Sequence, residues 1–468
     1  MTQQVAKNDK TLELFLKKNQ QQFTLNDAVA FTGMPVYEVK ESLGRLMERY
    51  KCRLKLTEKG DLIYDFGKSL QRRGKKSVKE WLKEGADLLW KGFKAFYRVW
   101  ITVTLVAYFV LFLVFIVGLV FVSFSRGEDD SDNMGGFLGG RFISGLFWGL
   151  FEWHTISRAT TWDTDSRGYR YRRFKPESKR RKSNKKSFVS AVYDFVFGPA
   201  RVRPEPLAQQ KELAAYIRDN KGILVTSELT GLTGKVREQA EELYSDSLIR
   251  FNGDLKITDD ALLFAEYPEL VRSQNREFEM QAKWYWEEYE PPYRFSGNPV
   301  TTNIMVTGMN IFNLLISGML LGSGAPLMQS FWSSLLLGWV PFTFSAIFFT
   351  VPTVRWLATF SKEKQRRKEN IRKRVMRAIF NHSGQELTPE FVLKAVNRNA
   401  PEEQLVAATV EQTLEQLALD LQGEARVNEE GQFVYYFEKL HHEMQGIARI
   451  RQSTNNDTDL GQVQFETD

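Results

Sequence analysis

The sequence predicts an α-helical membrane protein that carries small α+β modules on one side of the bilayer. Three observations lead there. Long charge-free apolar runs interrupt an otherwise polar chain, Lys and Arg collect in blocks beside those runs, and the polar stretches repeat one order of short helices followed by two strand-like runs. The 468 residues are 43% hydrophobic and 26% charged, values that alone suit a soluble protein. The segregation of the apolar residues decides the class.

The first run, Val99 to Ser125, contains no charged residue, and a bilayer core needs about 20 such residues. Val300–Leu321 and Leu327–Val354 are equally free of charge and are separated by Gly322-Ser-Gly-Ala-Pro326, which reads as a tight turn. They form a hairpin. The segment Met134–Phe151 is interrupted by Arg141 and is marginal in length. Charge asymmetry bears on it more than hydropathy does. Basic blocks lie before the first run (Lys68 to Arg98), after Arg141 (Arg158 to Lys186) and after the last run (Arg355 to Arg374), whereas Glu128-Asp-Asp-Ser-Asp-Asn133 is acidic.

Lys and Arg accumulate on the cytoplasmic side. Four spans place every basic block inside and the acidic loop outside; three spans do not. The prediction is therefore four transmembrane helices in two hairpins, with both termini cytoplasmic, in a bacterial inner (plasma) membrane. Arg141 then snorkels to the outer interface. Gly136, Gly140, Gly145 and Gly149 sit at four-residue spacings that allow close packing by a neighbouring helix. Asn310, Asn313 and Ser317 are expected to make interhelical hydrogen bonds.

Outside the membrane, Thr11–Phe66 gives the clearest copy of the repeated pattern. Leu12, Phe15 and Leu16 mark one helix, and Thr24 caps a short second helix that Gly33 stops. Pro35 opens a third helix with Val39, Leu43 and Leu46 on one face, and Cys52–Leu56 and Asp61–Phe66 flank Gly60 as a β-hairpin. A second copy runs from Lys211 to Phe264, its hairpin assigned to Leu248–Phe251 and Leu255–Ile257 around Gly253. A third runs from Ile371 to Phe437, with Ala425–Asn428 and Phe433–Phe437 around Gly431. This order resembles the winged-helix domain, a helix-turn-helix followed by a hairpin. The resemblance is at the level of fold and points to no specific family.

The implied organisation is as follows. A first module occupies 1–67, a basic juxtamembrane linker 68–98, the first hairpin 99–153 and a basic linker with an interfacial helix 154–206. The second module occupies 207–270, an aromatic juxtamembrane segment 271–299 and the second hairpin 300–354. A basic helix with the third module fills 355–440, and a polar tail, partly disordered, fills 441–468. Phe188, Val192 and Phe195 share one helical face beside a basic tract, which suits either an interfacial helix or a packing helix. Trp284 and Trp286 read as an interfacial aromatic anchor.

The net charge of +7 collects beside the apolar runs, which points to a membrane surface before nucleic acid. Helix three of the second copy carries Glu238, Glu241, Glu242 and Asp246, and no Lys or Arg occurs from Pro401 to Gly423 in the third. Phosphate would repel such helices. Only the first copy, through Lys40, Arg45 and Arg49, offers a nucleic-acid contact.

No chemistry-bearing constellation emerges. His154, His382, His441 and His442 form neither HxxxH nor HExxH, and Gly231-Leu-Thr-Gly-Lys235 is too short for a phosphate loop and lacks the following Ser or Thr. The single cysteine, Cys52, excludes an internal disulfide and any CxxC metal site. Met1–Lys10 has no apolar core of a secretory signal. The expectation is a non-enzymatic protein without cofactor or metal. Its modules would bind a protein partner or another copy at the bilayer, as a scaffold or assembly factor. A membrane-tethered DNA regulator and an oligomeric channel or lipid-handling protein are the alternatives.

Overall fold

The computed structural model describes residues 2–18, 22–67, 70–73, 78–125, 170–171, 187–199, 207–274, 281–323, 328–398, 404–429, 431–455 and 459–467. Met134–Phe151, with Arg141 and the four glycines, lies outside the described residues, as do the acidic loop and most of the second basic block.

Module 1 begins with α1 (Thr2–Lys18), which buries Leu12, Phe15 and Leu16. After β1 (Phe23–Thr24), α2 (Leu25–Thr32) opens with a reciprocal cap: the Asp27 N–H donates to Thr24 Oγ1 (3.2 Å) and the Thr24 N–H to Asp27 Oδ2 (2.8 Å). Gly33, at φ 69°, ends the helix in the left-handed region. Helix α3 (Val36–Arg49) buries Val39, Leu43 and Leu46, and β2 (Arg53–Thr57) and β3 (Leu62–Asp65) form the hairpin.

The chain continues into α4 (Val78–Ser125), then β4 (Arg170–Tyr171) and α5 (Phe188–Phe197). Module 2 repeats the first order: α6 (Ala208–Asp219), β5 (Ile223–Leu224), α7 (Thr226–Thr233), α8 (Arg237–Phe251), β6 (Asp254–Ile257) and β7 (Leu263–Glu266). A short helix, α9 (Pro268–Val271), a 3-10 turn (Tyr285–Glu287) and β8 (Glu288–Tyr289) lead to α10 (Val300–Gly322). Helix α11 (Val340–Asn381) follows a helical turn at Phe331–Ser333 and a π-type stretch at Ser334–Trp339. Its C-terminal end is the first helix of module 3, completed by α12 (Pro389–Arg398), α13 (Ala407–Asp420), β9 (Glu424–Val427) and β10 (Phe433–Tyr436). Helix α14 (Glu438–Ser453) and β11 (Val463–Glu466) close the chain.

The small sheets share one arrangement. In modules 1 and 2 the short first strand pairs with the second strand of the hairpin, giving orders β1-β3-β2 and β5-β7-β6. In module 3 a Leu387–Tyr435 bridge stands in for the first strand.

Among the described residues, three helices are long and apolar enough to cross a membrane: Leu88–Gly118, Val300–Gly322 and Phe331–Asn381, in which an 18-residue stretch reaches a mean hydropathy of 2.7, 1.8 and 1.7. They pack with α5 around one apolar cluster: Leu105, Phe109 and Phe112 of α4, Val306 and Met309 of α10, Phe348 of α11, and Val192 and Phe195 of α5. Helix α5 thus packs against all three apolar helices through Val192 and Phe195.

Three assignments change. The basic linker over 68–98 is, from Val78, the first part of α4, a single helix of 48 residues. At 1.5 Å per residue such a helix is about 72 Å long, well beyond a bilayer core of about 30 Å. The stretch after Val354, expected as a basic helix, is helical and continues α11 without a break. Leu248–Phe251 is helical, because Tyr244, Ser247 and Phe251 bury one face of α8, and the hairpin begins only after Asn252 (φ 54°) stops that helix. Finally, the polar tail is ordered at 459–467, where β11 pairs antiparallel with β2 and extends the module 1 sheet to β1-β3-β2-β11. Its polar composition misled because backbone pairing, not side-chain burial, holds it: Thr467 N–H donates to Leu54 O (2.9 Å) and Glu58 N–H to Gln462 O (2.9 Å).

Candidate interaction platform

The modules are joined by buried polar contacts that no single module could satisfy. Asp27 of α2 pairs with Arg218 of α6 at 2.8 Å, their side chains only 3% and 0% exposed. Asp27 also accepts from Ser273 Oγ and from the Gln274 N–H (3.1 Å), and Arg218 Nε donates to Leu270 O (2.6 Å). Charges so buried persist only when paired and hydrogen-bonded. Around them one hydrophobic core runs through both modules, from Phe15 and Leu43 to Leu229 and Tyr267.

Module 3 reaches module 2 through α14. Glu443 accepts from Arg237 and from the Ser227 N–H (2.9 Å), and Arg451 grips Glu228 with both terminal nitrogens (2.6 and 2.9 Å). The Tyr216 hydroxyl donates to the same carboxylate at 2.7 Å, and burial together with the Glu228 charge pushes its phenol well above the ordinary range. Beside this network Trp284 and Trp286 stack with centroids 5.1 Å apart, and Trp286 meets Phe380 of α11 at 4.8 Å. Gly231 makes room for them; a Cβ there would lie 2.6 Å from Trp284.

This placement corrects the reading of Trp284 and Trp286 as a membrane anchor. Trp286 is 7% exposed within the module 3 core, so protein atoms occupy the surface that lipid headgroups would need. The exposed aromatic belt is elsewhere, on α4: Trp90, Phe93, Phe96, Tyr97 and Trp100 are each at least 43% exposed. Lys94 lies over Trp90, and Arg98 over Tyr193 of α5. Aromatic and basic residues at an apolar boundary mark a membrane interface. Their helical spacing was legible in the sequence, but the basic residues among them led to their assignment to a linker.

Phe188 of α5 is half-buried, while Val192 and Phe195 pack inward. Arg355 of α11 secures the end of that helix, donating to Val196 O (2.9 Å), Phe195 O (3.1 Å) and Phe295 O. Within the bundle, Asn310 Nδ2 donates to Ser345 O (3.1 Å) and Asn313 Nδ2 to Leu105 O (3.0 Å), both interhelical. Ser317 instead bonds within its own helix, to Asn313 O at 2.7 Å.

The residues considered for nucleic acid are largely engaged. Arg45 pairs with Asp9 at 2.9 Å and Arg49 reaches the same carboxylate at 3.5 Å, while Lys40 and Arg49 both remain exposed. Among the described residues there is no cluster of three His, Cys, Asp or Glu suited to a metal ion.

What the platform does expose is apolar and recurs three times. At the tip of each hairpin a cross-strand pair of large apolar residues faces outward: Leu56 with Leu62, Ile257 with Leu263, and Val427 with Phe433. Their exposures are 36% and 42%, 69% and 46%, and 61% and 61%. In module 1 the row extends to Phe465, which pairs with Leu56. In modules 2 and 3 the outer strands β6 and β9 end their sheets, and the adjoining turns carry Asp259 and Asp260 or Glu429.

The chain is similar to the uncharacterized chloroplastic protein At5g03900 of Arabidopsis thaliana, with 22% identity over 370 residues, or 73% of this chain and 66% of that protein. The match thus spans slightly less than two thirds of the relative's length. No family model and no solved structure matches the chain.

Proposed function

We propose that the protein is a non-enzymatic scaffold or assembly factor, anchored in a bacterial plasma membrane, whose winged-helix modules hold a protein partner or a second copy at the cytoplasmic face. The observation that carries this reading is the union of three modules into one body whose hairpin tips keep three apolar pairs exposed. Exposed apolar pairs ringed by polar residues mark interaction sites on soluble surfaces. The recurrent order of helix, strand, two helices and hairpin supports the winged-helix assignment. The acidic turns beside the tips of modules 2 and 3 favour a basic, apolar partner over nucleic acid or an anionic lipid surface.

Four crossings, with Met134–Phe151 as the second, belong to the same proposal. Modules 1 and 2 share a core and a buried ion pair, so they lie on one side of any membrane. That supports an even number of crossings between them, of which α4 would supply one. The basic blocks make that side the cytoplasm.

Affinity capture of the full chain from mild detergent, with quantitative mass spectrometry, tests the function. We expect a partner, or the chain itself, to be enriched with the wild type and depleted at least several-fold with Ile257→Glu/Leu263→Glu or Val427→Glu/Phe433→Glu. Recovery of the monomer alone, or enrichment indifferent to both variants, counts against the scaffold.

A further inference from the structure

The deepest polar groups of the membrane bundle do not satisfy one another. Asn310, Asn313 and Ser345 are all 0% exposed. Each asparagine commits its nitrogen to a neighbouring helix, Asn310 to Ser345 O of α11 and Asn313 to Leu105 O of α4. Among the described residues, Asn310 Oδ1, Asn313 Oδ1 and Ser345 Oγ have no hydrogen-bond partner. Turning either carboxamide over offers no relief, because it would set an amide oxygen against a backbone carbonyl oxygen. Both oxygens are therefore fixed acceptors.

Their depth removes the usual remedy. Asn310 lies ten residues from Val300 and twelve from Gly322, the ends of α10. At 1.5 Å per residue it is about 15–18 Å from either end, near the middle of a bilayer core about 30 Å thick. An unsatisfied polar group there costs several kcal/mol, and bulk water does not reach it. Asn310 and Asn313 are three apart on one helical face, and their nitrogens reach α11 and α4, which ties α10 to both helices at this level.

We propose that one water molecule, bound at this three-helix junction, bridges Asn310 Oδ1, Asn313 Oδ1 and Ser345 Oγ. The hydrogen-bond count closes without remainder. The water donates one O–H to each carboxamide oxygen and accepts the Ser345 O–H, three bonds in all, which is typical of buried water. The site is neutral, with no carboxylate, as a water site within a bilayer should be. It makes the water a shared fastener between the first membrane helix and the second hairpin.

A structure of the full chain in lipid nanodiscs, at a resolution that shows ordered water, tests this on the wild type. The expected result is one peak within about 2.6–3.2 Å of all three atoms. A dry junction, or Ser345 Oγ turned onto a backbone carbonyl of its own helix, overturns the proposal. So does a peak that acquires anomalous signal when Rb⁺ or Tl⁺ is supplied, since that identifies a cation. Thermal unfolding in the same nanodiscs gives an independent reading. Ser345→Ala is expected to lower the Tm of the wild type by about 2–4 °C but to have little further effect in an Asn313→Leu background. Strict additivity of the two substitutions removes the bridge.

Discussion

The Asp27–Arg218 pair gives the sharpest prediction about how the modules are held together. Asp27→Ala deletes four contacts at once: the ion pair, the cap on the Thr24 N–H, and the bonds from Ser273 and Gln274. It leaves the Arg218 guanidinium, 0% exposed, without its carboxylate. Stranding one member of a buried pair costs about 3–5 kcal/mol. For a body of this size each kcal/mol moves the Tm by roughly 2–4 °C, so the loss is roughly 6–20 °C. Asp27→Asn keeps an acceptor oxygen and should lose less. The double variant Asp27→Leu/Arg218→Met removes both charges, and its loss should be smaller than the sum of the two single losses, because neither charge is then left unpaired. Intrinsic fluorescence during a thermal ramp of the full chain in detergent measures the wild type, these variants and the single Asp27→Leu and Arg218→Met variants. A loss below about 1 kcal/mol for Asp27→Ala, or additive single losses, refutes the claim that this pair fastens module 1 to module 2.

Further outcomes follow from other contacts. Truncation after Asn455 removes β11, and hydrogen exchange at Leu54 and Glu58 should then accelerate, since their N–H groups lose Thr467 Oγ1 and Gln462 O; unchanged protection would show that the strand contributes nothing. Gly231→Ala places a Cβ 2.6 Å from the Trp284 ring, so the tryptophan emission should shift and stability fall by about 1–3 kcal/mol. Arg355→Met strands the three carbonyls at the end of α5 and in the adjoining loop, and a loss of about 3 kcal/mol or more is expected in an unfolding assay. Cys52 has its thiol raised to about 11 by burial, so alkylation should be very slow at neutral pH and climb as pH rises toward that value. The thiol form is the one favoured by folding; this contribution is therefore intact below the unfolded thiol range and is lost as pH climbs through about 11. Fast alkylation at pH 7 would contradict the burial.

Much of this architecture was legible because it rests on local signals. Charge-free runs marked α4, α10 and α11, and the Thr24 and Gly33 signals marked the ends of α2 in module 1. The joints between modules were not legible. Asp27 looks like an ordinary helix cap and Arg218 like a solvated helix residue; only the fold brings them together across 191 positions. Trp284 and Trp286 illustrate the same limit. An aromatic cluster ahead of a membrane span has two physical uses, and the choice between them depends on whether Gly231 and Phe380 are waiting to receive the rings. The tail failed for a different reason. Strand β11 is held mainly by backbone hydrogen bonds to the edge of β2, which composition does not report.

We propose a single cytoplasmic body fixed to the membrane by paired crossings. Single-cysteine labelling of intact cells with a membrane-impermeant maleimide, in a Cys52→Ser background, tests it most directly. Asp130→Cys should label from outside, whereas Ser183→Cys should label only after the membrane is opened. Reaction of Ser183→Cys in intact cells would place the second basic block outside and contradict the paired crossings.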